Sequence, residues 1–203
     1  MRVLVACEFS GVVRDAFASL GHDAWSCDIL PTERPGNHFQ CPIEDIFPEH
    51  PADNAWDLMI AFPPCTHLAA SGARWWPEKI ADGRQARAAG FFRMLAEAPI
   101  PSICMENPVG AMSRLYRKPD QIVHPFWFGD EARKQTCLWL KGLPCLQPTN
   151  MVNQGEIHTT KSGRRLPKWY NIPPSNPDRQ KIRSTTFQGI ANAMAQQWGG
   201  SCR

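Results

Sequence analysis

The chain has 203 residues, enough for one domain with a real core and little spare length for a second. Hydrophobic content of 43%, charged content of 20% and a formal charge of +3 describe a globular protein, neither disordered nor strongly drawn as a whole to a polyanion. No apolar run approaches the roughly 20 residues that span a bilayer, and the opening MRVLVACEF, soon followed by Arg14, does not read as a signal peptide.

In chain order, RVLVAC (2–7) is a short β-branched run that predicts a strand buried on both faces. GVVRDAFASLG then sets Val12, Val13, Ala16, Phe17 and Leu20 at helical spacing, with Gly21 as a stop. HDAWSCDIL predicts a second strand with Asp28 at its carboxyl end, and WDLMIAF a third. RQARAAGFFRMLAEA (84–98) predicts an amphipathic helix closed by PIP; SICMEN is a fourth strand and TCLWL (136–140) a fifth. Residues 142–176 are rich in Pro, Gly and Asn and predict an irregular insertion with at most a hairpin, turning at Ser162-Gly163. A helix over 189–198 closes the chain. The expected organisation is a core over 1–141, a short basic insertion over 142–183 and a C-terminal helix over 184–203.

Alternating strands and helices predict an α/β fold with a mostly parallel sheet, in which ligands sit at the carboxyl ends of the strands. Glu8, Phe9, Ser10, Gly11, Asp28, Cys65 and Glu106 all fall at that rim. Pro63-Pro64 ends the third strand, so Cys65 is either a core thiol or a nucleophile held stiffly at the rim. Glu106 is either a helix-capping partner or a carboxyl kept protonated to donate a hydrogen bond. The turn at Gly11 brings backbone N–H groups toward a cofactor; Asp28 suits a ribose hydroxyl or is a solvated loop carboxylate.

The eight cysteines include no C-x-x-C pair, which argues against a metal cluster or a thioredoxin-type motif. The expectation is a reduced, cytoplasmic protein with no metal and no membrane partner. Between 161 and 183 stand Lys161, Arg164, Arg165, Lys168, Arg179, Lys181 and Arg183 against Asp178 alone, a basic patch on a nearly neutral molecule. Trp75 and Trp76 beside Arg74 form either a mobile flap that stacks on a nucleic acid or a core edge. Trp169 and Tyr170 either stack on unpaired bases or anchor their loop. His67 is either a proton relay or a structural hydrogen-bond partner.

The order of these features resembles the DNA cytosine-5 methyltransferase family. Phe9-Ser10-Gly11 looks like its first cofactor motif, FPPCTHLAASG like its Pro-Cys nucleophile loop, and CMENPVG like its Glu-Asn motif. TCLWLKGLP and GIANAMAQQW resemble compact phage and prophage members, which implies a bacterial host cytoplasm. The resemblance implies a Rossmann-like methyltransferase fold, S-adenosylmethionine as cofactor and DNA as partner. It assigns catalysis to Cys65, Glu106 and Lys134, and the cofactor to Phe9, Ser10, Gly11, Asp28, Ile29, Asp45 and Pro63. DNA contacts are expected from Arg74, Arg164, Arg165, Lys168 and Trp169. Val13 stands where the family has a second glycine, Thr66 and Ala69 where it has Gln and Ser, and Lys134 and Thr136 at its arginine places. The region that reads the target sequence is cut to about forty residues, which predicts low sequence specificity. Two other readings remain: the same fold acting on another acceptor or sulfonium donor, and a non-catalytic DNA-binding or decoy descendant.

Overall fold

The computed structural model describes residues 1–47, 56–160, 165–170 and 186–200, with single positions at 163, 173, 175, 176, 182 and 184. At its centre is β1 (Arg2–Ala6), where Val3, Leu4, Val5 and Ala6 are all buried, as a run without polar alternation requires. Helix α1 (Val12–Ala18) follows it, and β2 (Asp23–Asp28) then pairs with β1 in parallel. β3 (His38–Gln40) lies parallel outside β2, while β4 (Leu58–Ala61) pairs in parallel on the other side of β1. The chain thus runs outward from β1 and then crosses back over it, which creates a switch point between β1 and β4. Clefts at the carboxyl ends of strands open at such points.

After β4 come the short helix α2 (Trp76–Ala81) and the longer α3 (Arg84–Ala96), leading to β5 (Ser102–Pro108), parallel to β4. Helix α4 (Met112–Leu115) and β6 (Gln121–Val123) follow. β7 (Thr136–Lys141) inserts between β5 and β6 and is antiparallel to both. The sheet order is β3-β2-β1-β4-β5-β7-β6. The strand expected over 136–140 is therefore present but reversed, and β3 and β6 add two strands that the sequence reading lacked. Each has three residues, too few to display a period of two.

The closing helix, α5 (Gln188–Trp198), packs with α1 on one face of the sheet, where Phe17, Ile60, Leu138, Met194 and Trp198 share a core. On the other face α3 buries Phe92 and Leu95 against Met59, Met105 and Trp139. Beyond β7 the chain is sewn back onto this core: Thr149 and Asn150 amides donate to the Trp127 carbonyl, and Leu146 is buried. The expected hairpin exists as β8 (Ile157–Thr159) paired with β9 (Arg165–Pro167), with Gly163 at φ +77° in its turn. Ser162, Arg164 and most of the remaining basic stretch lie outside the described residues. Among the described residues no helix is long and apolar enough to cross a membrane.

Candidate active site

The end of β1 turns sharply into α1. Cys7 takes a left-handed φ of 58°, and Gly11, at φ 72°, caps the helix. A side chain at position 11 would stand 2.6 Å from an Arg14 nitrogen, so glycine is required there for space as well as for backbone conformation. Glu8 is 4% exposed, and its Oε1 accepts from the Val13 amide at 2.9 Å and the Ser10 hydroxyl at 3.0 Å. The free amides at the start of α1 are thereby capped by the protein's own carboxyl group. Burial raises the Glu8 pKa, against the opposing pull of these hydrogen bonds.

Asp28 stands half-buried at the end of β2, its Oδ1 accepting from the Leu30 amide at 2.9 Å. Beside it Ile29 is 69% exposed, an apolar side chain presented at the rim. Asp45 is exposed on a 3₁₀ turn at Ile43–Ile46. Phe9 and Ser10 are half-buried, and the Glu33 amide donates to the Phe9 carbonyl at 2.9 Å, so the loop after β2 crosses the Gly11 turn.

Arg14 organises this half of the rim, and sequence reasoning overlooked it. It is 1% exposed, and its guanidinium donates to the Ser26 hydroxyl at 3.2 Å and to the Thr32 hydroxyl and the Arg34 and Pro35 carbonyls at 3.1 Å each. Asp15 supplies the counter-charge at 2.8 Å. The only signal in the sequence is an arginine flanking the apolar stripe of α1, and that pattern normally reads as a solvated cation.

The other half is built by β4 and β5, paired so that Ala61 faces Met105. Pro63 is buried, Cys65 half-buried, and the Asn107 amide donates to the Pro63 carbonyl at 2.9 Å. The Cys65 carbonyl accepts from the Leu68 and Ala69 amides, closing the loop on itself. The Ala70 amide then donates to the Val109 carbonyl and the Ala111 amide to the Leu68 carbonyl, lacing this loop to the segment after Glu106. Gly110 passes so close that a Cβ there would stand 2.1 Å from the Leu68 carbonyl oxygen.

Glu106 faces the α1 and α5 side of the sheet, in a narrow cavity lined by Phe62, Lys134, Thr136, Phe187, Ile190 and Met194. Burial raises its pKa, and the Lys134 ammonium pulls the other way. Cys65 is not among the residues lining that cavity; it lies on the loop at the end of the adjacent strand. Of the other thiols, Cys7 is pushed up to about 12 and Cys137 to about 11, with burial the largest cause in each, and burial raises Cys27 and Cys104 as well. Such groups stay protonated and are poor nucleophiles.

The expected DNA-contacting residues divide. Arg74 is exposed, its guanidinium 4.8 Å from the ring centre of the half-exposed Trp75, while Trp76 packs partly into the core. Trp76 thus belongs to the core edge, while the Trp75 ring stands at the surface beside Arg74. Arg165 is exposed, and Lys168 pairs with Glu156 at 2.6 Å. Trp169 is half-buried, edge-on to Phe187 at 5.4 Å, so its ring anchors the insertion to the wall of the Glu106 cavity. Among the described residues no group of three His, Cys, Asp or Glu side chains could hold a metal ion.

No family model matches the chain, and no curated protein matches it at a significant level. Among solved structures it is similar to a prophage-encoded E. coli protein provisionally described as a DNA modification methyltransferase, at 15% identity and a TM-score of 0.50. The match covers 75% of this chain and 52% of the other, so the chain spans about half the length of that protein. The α/β architecture, with its mostly parallel seven-stranded sheet, is a Rossmann-like methyltransferase fold.

Proposed function

We propose that this protein is an S-adenosylmethionine-dependent methyltransferase that modifies C5 of cytosine in DNA through a covalent bond between Cys65 and C6. The observation that carries the reading is the lacing of two strand-end loops: Asn107, next to Glu106, holds the Pro63 carbonyl two residues before Cys65. The bond ties the candidate nucleophile's loop to the strand that bears the candidate acid.

The rim of β1 and β2 suits S-adenosylmethionine better than a phosphate-bearing nucleotide. A phosphate would be drawn to the amides of α1, but the Val13 amide already donates to the Glu8 carboxyl and the Val12 amide to the Ser10 hydroxyl. Asp28 would accept from ribose hydroxyls, exposed Ile29 would cover an adenine face, and Asp45 would meet its amino group. Phe9, Ser10, Gly11 and Pro63 would form the remaining wall. When bound, S-adenosylmethionine supplies the methyl group.

The chain's own residues supply the rest. The Cys65 thiolate adds to C6 of the extruded base, and protonated Glu106 donates to N3, which makes C5 electron-rich. Lys134, beside Glu106, limits how far burial raises that pKa. Once C5 carries the methyl group, water acting as base takes the C5 proton, the C6–S bond breaks to release the Cys65 thiolate, and Glu106 recovers the proton shared with N3, which restores the ring. The base must leave the duplex for this to occur; Arg74, Arg165 and Lys168 supply cations for the backbone, and Arg164 and Trp169 belong to the same basic insertion.

Labelled S-adenosylmethionine incubated with duplex DNA, followed by digestion to nucleosides, tests the proposal. The expected result is label in 5-methylcytosine, lost in Cys65→Ala and Glu106→Gln. Label in another nucleoside would overturn the C5 assignment. The narrowness of the Glu106 cavity favours one alternative, a non-catalytic DNA-binding descendant, which predicts salt-sensitive DNA binding with no transfer at all.

A further inference from the structure

The loop that carries Cys65 is also held from its other side, by two side chains outside the sheet. Lys79, on α2, is 8% exposed, and its ammonium nitrogen donates to the Thr66 carbonyl at 2.7 Å. Gln85, in the first turn of α3, is 2% exposed, and its amide donates to the His67 carbonyl at 3.3 Å. A buried ammonium is costly unless it is paired, yet no ion pair among the described residues includes Lys79. It donates to the carbonyl of Thr66, the residue after Cys65, and lies 3.6 Å from where a Cβ on Gly72 would stand.

An ion-pair bridge ties the helices that carry the two donors. Arg84 bridges Glu78 on α2 and Asp82 at the α2–α3 junction, reaching Asp82 from Nε at 2.6 Å. That contact holds the Asp82 carboxyl down to about 2, so the bridge stays charged.

We propose that Lys79 and Gln85 are positioning residues that fix the Cys65 loop from the α2–α3 side. Neither touches a substrate. Each holds a carbonyl of the turn, Thr66 or His67, whose next amides, Leu68 and Ala69, fold back onto the Cys65 carbonyl. Fixing those two peptide planes keeps the thiol at one height above the rim. The inference rests on the reading of Cys65 as the nucleophile.

Amide hydrogen exchange in Lys79→Met, Lys79→Arg and Gln85→Leu tests it without reference to catalysis. Lys79→Met should speed exchange of the Leu68 and Ala69 amides about tenfold, and Gln85→Leu about threefold, while the amides of β1 and β5 keep wild-type protection. Lys79→Arg, which restores a cationic donor, should stay within about twofold of wild type. Unchanged exchange at Leu68 and Ala69 in both Lys79→Met and Gln85→Leu overturns the proposal, as does equal loosening through β1 and β5, the sign of general destabilisation. If Lys79→Met does not fold, Gln85→Leu carries the same comparison with no change of charge. In a parallel transfer assay, kcat should fall about tenfold in Lys79→Met with KM for S-adenosylmethionine within about twofold. If the wild type forms no methylcytosine while the loop amides respond as expected, the function fails and the bracket stands. If the wild type methylates DNA and the amides do not respond, the bracket fails and the function stands.

Discussion

Burial raises the pKa of both Glu106 and Glu8 above the ordinary carboxylate value. The folded protein therefore binds more protons than the unfolded chain at pH values between the ordinary carboxylate pKa and the raised one. Stability from these groups is full below the ordinary value and is lost as pH rises through the raised one, the reverse of common acid denaturation. Glu106→Gln removes the penalty at one of the two sites. It should be the more stable protein at alkaline pH and match wild type at mildly acidic pH, while losing methyl transfer. Thermal melts at both pH values check this; a variant less stable than wild type at the higher pH contradicts it. Arg14 works in the opposite sense, since four oxygens besides Asp15 depend on its guanidinium. Arg14→Met should cost about 3 kcal/mol or more in a denaturant titration and weaken cofactor binding beyond the loss of stability.

The elements that fold by repeating patterns were legible in the sequence, and those fixed by single close approaches were not. β1, α1 and α3 announced themselves through runs and helical spacing. The reversal of β7 depends on a connection through β6, whose three residues carry no pattern of their own. At the candidate site, the prolines before Cys65 and the apolar strand that bears Glu106 were visible in the sequence, because punctuation and apolar runs are local. The brackets at Lys79 and Arg14 were hidden because they link residues 12 and more positions apart in the chain, and a buried cation has no local signature. Gly110 and Gly189 belong with them. A Cβ at position 110 would meet the Leu68 carbonyl oxygen at 2.1 Å, and one at 189 the Phe128 carbonyl oxygen at 2.0 Å. Gly110→Ala should force the Cys65 loop away from β5 and cost about 1–3 kcal/mol. Gly189→Ala should cost about as much by lifting the start of α5, where the Gly189 amide meets Asp130 at 2.8 Å. Chemical denaturation of both variants, with methyl transfer lost further in Gly110→Ala than in Gly189→Ala, separates the two roles.

On the scale of the whole molecule the charge is nearly balanced, and +3 spread over 203 residues gives little long-range attraction to DNA. The DNA binding proposed above would then rest on local cations. Lys168 is already paired with Glu156 in an exposed bridge of small energetic weight, which leaves exposed Arg74 and Arg165 as the clearest phosphate contacts among the described residues. Replacing either by Ala should weaken binding by a similar factor on every sequence and lower the slope of log affinity against log salt by about 1. An effect confined to one sequence would instead mark that arginine as a reader of bases. A hairpin with three-residue strands, whose neighbouring indole is committed to packing on Phe187, offers few side chains to a groove. Sequencing modified cytosines across a mixed DNA library should return a short consensus or none, with sites set more by accessibility than by flanking bases. A target read strictly over six or more base pairs would mean that recognition surfaces exist elsewhere on this fold, and would remove the insertion from the role proposed for it.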